Sequence, residues 1–187
     1  FYKKYIILTV DDGYKDNYTI LYPMLKKYNM KAVIFLVSGL DYNRWTVESD
    51  NEKRFDLMSD EEVMELQNSG HIEFGGHTLT HVSFFDVDDE RAREEIVKDK
   101  EITEKRLGKK LKVFAYPYGH KRKEVVEMVK ECGYSFAVST DTGSGIFTKD
   151  LFDIRRIAID KTSLINFLRR ISPRYLQYKA RKYKDKF

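Results

Sequence analysis

Apolar residues along the chain collect into short continuous runs separated by stretches of helical period. YIILTV (5–10), KAVIFLV (31–37), HIEFGG (71–76), KLKVFAYP (110–117), YSFAVST (134–140) and IRRIAI (154–159) read as six strands. Continuous rather than alternating apolar runs suit parallel strands covered on both faces. Between them the spacing predicts helices over YTILYPMLKKYNM (18–30), from Ser59 to Gly70, over about 87–107, over KEVVEMVKECG (123–133) and over TSLINFLRR (162–170). Ser59 and Glu62 form a capping box, with Met58 and Val63 placed as a hydrophobic staple. The segment SGLDYNRWTVESDNEKRF (38–55) reads as a long polar loop after the second strand.

Repeated strand–helix units imply a parallel α/β architecture. A full eight-unit barrel takes about 250 residues. The 187 residues here therefore predict an irregular (β/α) barrel of six or seven units, with parallel strands and the helices outside. Residues 1–168 are expected to form one domain and residues 169–187 a basic C-terminal tail.

Composition narrows the function classes. Hydrophobic content of 42% with 34% charged residues describes a globular chain. No apolar run reaches the roughly 20 residues of a membrane span, and residues 5–10 are too short for a signal peptide. An export signal or anchor is expected to lie outside the given residues. One cysteine, Cys132, excludes an internal disulfide and a Cys-based zinc site, and its place near a helix end reads as a packed thiol. The net charge of +4 is unevenly spread, because residues 169–187 hold eight Lys/Arg against one Asp. That tail reads as a solvated helix end or as a patch attracted to an anionic membrane or cell wall. No nucleic-acid-binding module accompanies it, so nucleic acid is not an expected partner.

In parallel α/β folds the functional loops follow the carboxyl ends of the strands. Three polar segments occupy such places: DDG (11–13) after the first strand, HTLTH (77–81) after the third and YPYG (116–119) after the fourth. His77 and His81, four residues apart, can aim at one point, and imidazole nitrogens bind Zn2+ and similar ions at about 2.0–2.1 Å. The glutamate of the helical H-E-x-x-H pattern is missing, so the third ligand and the base come from elsewhere. Two adjacent aspartates meet that need. A divalent cation neutralises one and leaves the other ionised beside it, which supplies the parts for metal-assisted hydrolysis.

These segments resemble the polysaccharide deacetylases of the NodB-homology type (carbohydrate esterase family 4). Thr9-Val10-Asp11-Asp12-Gly13 matches the family's T-F-D-D-G, and His77-Thr78-Leu79-Thr80-His81 matches H-[ST]-x-x-H. GHIEFGG stands before the latter, where the family commonly has G-H-E-I-G-N, and AYPYG (115–119) partly matches R-x-P-[YF]-G. The resemblance covers about residues 5–160. It implies Asp11 as general base and Asp12, His77 and His81 as ligands of Zn2+ or of Co2+, Ni2+ or Fe2+. It also implies the Tyr118 N–H as oxyanion donor, and an N-acetylglucosamine polysaccharide at an extracellular or cell-surface location as substrate. Pro117 would fix the bend that presents this N–H.

Two departures stand out. The third-motif arginine is Ala115 here, a variant that looks like the branch acting on poly-β-1,6-N-acetylglucosamine. Arg155 or Arg156 is expected to supply the guanidinium, and since strand side chains alternate faces only one points inward; Arg156 is favoured. The family's L-x-x-H histidine has no counterpart, because no histidine follows His120. His120 is a conceivable substitute acid or an exposed loop residue, and His71 reads as a structural hydrogen-bonding residue. Trp45, Tyr42 and Tyr118 are candidates for stacking against sugar, with core filling the alternative, and Asp141 is a weaker candidate. Rival readings are a related hydrolase of a small cyclic amide and a polysaccharide-binding protein with a relic metal site.

Overall fold

The computed structural model of the chain describes residues 6–140, 150–159, 163–172, 174, 175 and 178. Six strands, β1 (Leu8–Val10), β2 (Ala32–Leu36), β3 (Ile72–Gly76), β4 (Val113–Ala115), β5 (Phe136–Ser139) and β6 (Ile154–Arg155), form one sheet in chain order. Every neighbouring pair is parallel. The helices are α1 (Tyr22–Tyr28), α2 (Arg44–Asp50), α3 (Asp60–Asn68), α4 (Asp89–Leu107), α5 (Lys123–Glu131) and α6 (Leu164–Arg170). The result is the irregular (β/α) barrel expected, in the form of a curled six-stranded half-barrel. Among the described residues no ladder joins β6 to β1.

Strand alternation sorts the core into two layers. Ala32, Ile34 and Leu36 of β2, Ile72 and Phe74 of β3, Phe114 of β4 and Ala137 of β5 pack outward against the helices. Phe35, Ala115 and Val138 are buried on the opposite face, with Val33, Val113 and Ile154 beside them. That inner layer is thin, and glycine lets it close. A Cβ on Gly75 would lie 2.6 Å from Phe35 Cδ1 and 2.7 Å from the Val113 carbonyl oxygen. Gly75→Val is therefore expected to destabilise the fold by about 1–3 kcal/mol through overpacking. The midpoint of urea unfolding reads this, and an unchanged midpoint would contradict the packing.

Several boundaries differ from the sequence expectation. The helix over 18–30 divides into a π-helical turn (Asn17–Leu21) and α1, with Pro23, which cannot donate, in the first turn of α1. IRRIAI pairs only over Ile154–Arg155, because β5 offers partners only through Ser139. The polar loop 38–55 contains α2, a helix without apolar periodicity. It is anchored instead by buried Asn43, whose Nδ2 donates to Thr46 Oγ1 at 2.7 Å and to the Lys53 carbonyl at 3.1 Å. Asn43 Oδ1 accepts from the Phe55 N–H at 2.6 Å. The capping box at Ser59–Glu62 forms as read. His71 Nδ1 lies 2.8 Å from the Met30 carbonyl oxygen, a structural bond.

Candidate metal and catalytic centre

The carboxyl ends of β1, β3 and β4 deliver their loops to one place. One ligand atom each from Asp12, His77 and His81 lies within 4.8 Å of the others. His77 Nε2 stands 3.3 Å and His81 Nε2 3.2 Å from the same oxygen, Asp12 Oδ1. The opposite edge of the His77 ring fixes its chemistry. His77 Nδ1 lies 2.7 Å from the Ala115 carbonyl oxygen. A carbonyl only accepts, so Nδ1 carries the proton and neutral His77 turns the lone pair of Nε2 toward Asp12. Two nitrogen atoms and a carboxylate oxygen thus face one point, and the buried Asp12 Oδ1 makes no well-formed hydrogen bond there. Such a donor set is satisfied by a cation, and its softness and count suit Zn2+ or a related divalent ion.

The electrostatics agree. Burial works against the charge on Asp12, yet the His77 and His81 rings beside it outweigh that and hold the carboxyl well below its ordinary range. Burial also opposes charge on both imidazoles. For His77 the adjoining Asp12 carboxylate and the nearby Asp11 charge prevail and raise its pKa, whereas burial holds His81 low.

Asp11 lies beside this group without joining it. Arg156 grips both its oxygens, Nη1 to Oδ1 at 2.6 Å and Nη2 to Oδ2 at 2.7 Å. The guanidinium also reaches Thr9 Oγ1 at 3.3 Å and donates from Nε to the Ser139 carbonyl at 3.3 Å. A residue following β6 thereby bridges to β1 across the open side of the sheet. Arg155 turns the other way and pairs with Asp153. Burial pushes the Asp11 pKa up, but the Arg156 bonds and the His77 charge prevail and lower it.

Aromatic rings wall the cluster. Trp45, carried by α2, stacks on His81 at 4.5 Å between centroids, and Tyr118 meets His81 edge-on at 4.7 Å. Tyr118 sits in the turn Pro117–Gly119 after β4, with left-handed backbone at φ 57°. Tyr42 instead lies under the Arg54 and Arg44 guanidiniums. His120 stands one ring further out, its Nδ1 3.0 Å from Ser83 Oγ, and does not join the cluster. Asp141 lies outside the described residues. Cys132 packs half-buried against the helix-side core.

The profile of the polysaccharide deacetylase family matches residues 1–137. The chain belongs to this family. It is 28% identical over 178 residues to the poly-beta-1,6-N-acetyl-D-glucosamine N-deacetylase of Staphylococcus aureus (strain MSSA476), covering 91% of this chain and 59% of that protein. It is 26% identical over 157 residues to YxkH of Bacillus subtilis, covering 84% of this chain and 52% of that protein. The chain thus spans between half and three-fifths of these relatives. The Streptococcus pyogenes deacetylase PplD, solved in complex with acetate, superposes with a TM-score of 0.76 at 25% identity, covering 92% of this chain and 72% of that one.

What holds this deacetylase-family loop in place is less visible in sequence. Asp12, Thr78, His81 and Tyr118 all have positive φ, and Thr78 is β-branched, so the backbone is strained where the ligands converge. Clamps on both sides sustain it. From the turn after β2, the Gly39 N–H donates to the Leu79 carbonyl at 2.8 Å, an approach so close that a Cβ on Gly39 would fall 2.6 Å from that oxygen. From α4, fully buried Glu95 accepts the Thr80 N–H at 2.8 Å and the Thr80 hydroxyl at 2.6 Å, while its backbone carbonyl accepts from the Leu79 N–H at 3.2 Å. Arg91 Nη2 completes the set at 2.6 Å. Glu95→Ala is expected to cost about 1–3 kcal/mol of stability and to weaken cation binding about tenfold or more. Thermal unfolding with and without Zn2+ measures both, and wild-type affinity in the variant would show that the loop holds without its brace.

Proposed function

We propose that this chain hydrolyses the acetamide of N-acetylglucosamine residues in a cell-surface polysaccharide, releasing acetate and leaving a free amine. Asp12, His77 and His81 would hold a divalent cation, Zn2+ or one of Co2+, Ni2+ and Fe2+. The observation that carries the reading is the convergence of these three ligands beside a second carboxylate that a guanidinium keeps apart from them. Membership of the family and the printed activity of the S. aureus relative support the substrate class.

When bound, the ion supplies Lewis acidity to the acetyl carbonyl and to water. Asp11, ionised and fixed by Arg156, takes the proton from the attacking water. The Tyr118 N–H is the donor for the negative charge that develops on the carbonyl oxygen. Trp45 and Tyr118 flank His81 and exclude bulk solvent from it. No histidine takes the place of the family's usual acid, and His120 is separated from the cluster by the Tyr118 ring. The proton collected by Asp11 is then the one available to the departing nitrogen. Residues 1–168 would constitute the catalytic domain. The basic stretch 169–187 would favour an anionic wall or membrane surface.

Mass spectrometry of β-1,6-linked N-acetylglucosamine oligomers incubated with the chain and Zn2+ tests the reading. Successive losses of acetyl mass are expected. Bound metal with intact oligomers would replace it by the polysaccharide-binding alternative.

A further inference from the structure

Residues 84 and 85 are adjacent phenylalanines with opposite fates. Phe84 is fully buried in the core, whereas Phe85 is 62% exposed. Packing explains the first and not the second. Phe85 is nevertheless ordered by its neighbours, because its ring stacks on His120 at 4.5 Å with 24° between planes. Ser83 secures both partners: its Oγ lies 3.0 Å from His120 Nδ1 and accepts the Phe85 N–H at 3.3 Å. His120 in turn leans on Tyr118 at 5.6 Å, and Tyr118 meets His81 at 4.7 Å. A continuous strip of rings thus leads from the ligand cluster outward.

We infer that Phe85 and His120, with Tyr118, form a glycan-binding subsite that stacks a sugar neighbouring the one being deacetylated. The inference rests on the proposed polysaccharide substrate and assigns a function to residues that it leaves unused. Pyranose rings present C–H faces that pack on aromatic surfaces. A pre-stacked, exposed phenylalanine offers such a face with little ordering cost on binding. Continuity with the ligand cluster fixes the occupant as an extension of the same chain, so the subsite makes the protein prefer oligomers over short substrates.

Phe85→Ala is expected to lower the ratio of kcat/KM for the β-1,6-linked pentamer to that for the dimer by about 5–10-fold, a change carried by KM, and Phe85→Trp to restore it. Isothermal titration of the same pentamer into wild-type protein and Phe85→Ala reads the subsite without catalysis, with a similar loss of affinity expected. Equal affinity of the two proteins, or an unchanged pentamer-to-dimer ratio, would overturn the subsite. Weaker pentamer binding by Phe85→Ala in a chain that removes no acetyl group would uphold the subsite and overturn only the proposed hydrolysis.

Discussion

Asparagine at position 11 is expected to reduce turnover of N-acetylglucosamine oligomers by about 10²–10⁴-fold while cation stoichiometry stays at the wild-type value. The amide is nearly isosteric with the carboxylate and keeps one acceptor for Arg156, but it cannot take a proton from water. Asp11 stands outside the three-ligand cluster, so metal retention separates loss of a base from loss of a ligand. In the proposed mechanism Arg156 would act through Asp11, which it holds by the two bonds of 2.6 and 2.7 Å. Arg156→Ala should therefore also slow turnover. The double variant Asp11→Asn/Arg156→Ala should be no slower than Asp11→Asn alone, since residues that work as a unit are not additive. Additive losses would mean that Arg156 touches the substrate or the reacting atoms directly.

Asp12→Asn is the second large effect. The oxygen facing both Nε2 atoms becomes neutral, and Zn2+ affinity is expected to fall by about 10²-fold or more, beyond what loss of an outer-shell partner causes. Asparagine tolerates the left-handed backbone at φ 73° as aspartate does, so the fold should survive. Stabilisation by ligand grows as RT ln(1 + [L]/Kd), about 2.7 kcal/mol when the ion is at 100 times Kd. At such a Zn2+ concentration the wild-type chain should melt well above its Zn2+-free temperature. The variant should show almost no shift, and an equal shift in both would remove Asp12 from the ligand set.

Much of the architecture was legible because parallel α/β folds write themselves as apolar runs between amphipathic helices. The same rule gathers DDG, HTLTH and YPYG at one end of the sheet from sequence alone. Strand alternation says only that one of Arg155 and Arg156 faces inward, and the two-residue β6 is far shorter than the apolar run suggests. Other features had no sequence signal. Trp45 reaches His81 on a helix held by side-chain bonds of Asn43 rather than by an apolar stripe. Glu95 reads as one more charge in DERAREEIVKDK until folding turns it beneath Thr80, fifteen residues earlier. Phe85 is hidden in a Phe-Phe pair that hydrophobic patterning would place wholly in the core.

Crystals soaked in Zn2+ and measured on both sides of the zinc absorption edge test the cation site most directly. An anomalous peak bounded by Asp12, His77 Nε2 and His81 Nε2, with Asp11 still paired to Arg156, is the predicted result. A peak elsewhere, or none with those three side chains ordered, would contradict it.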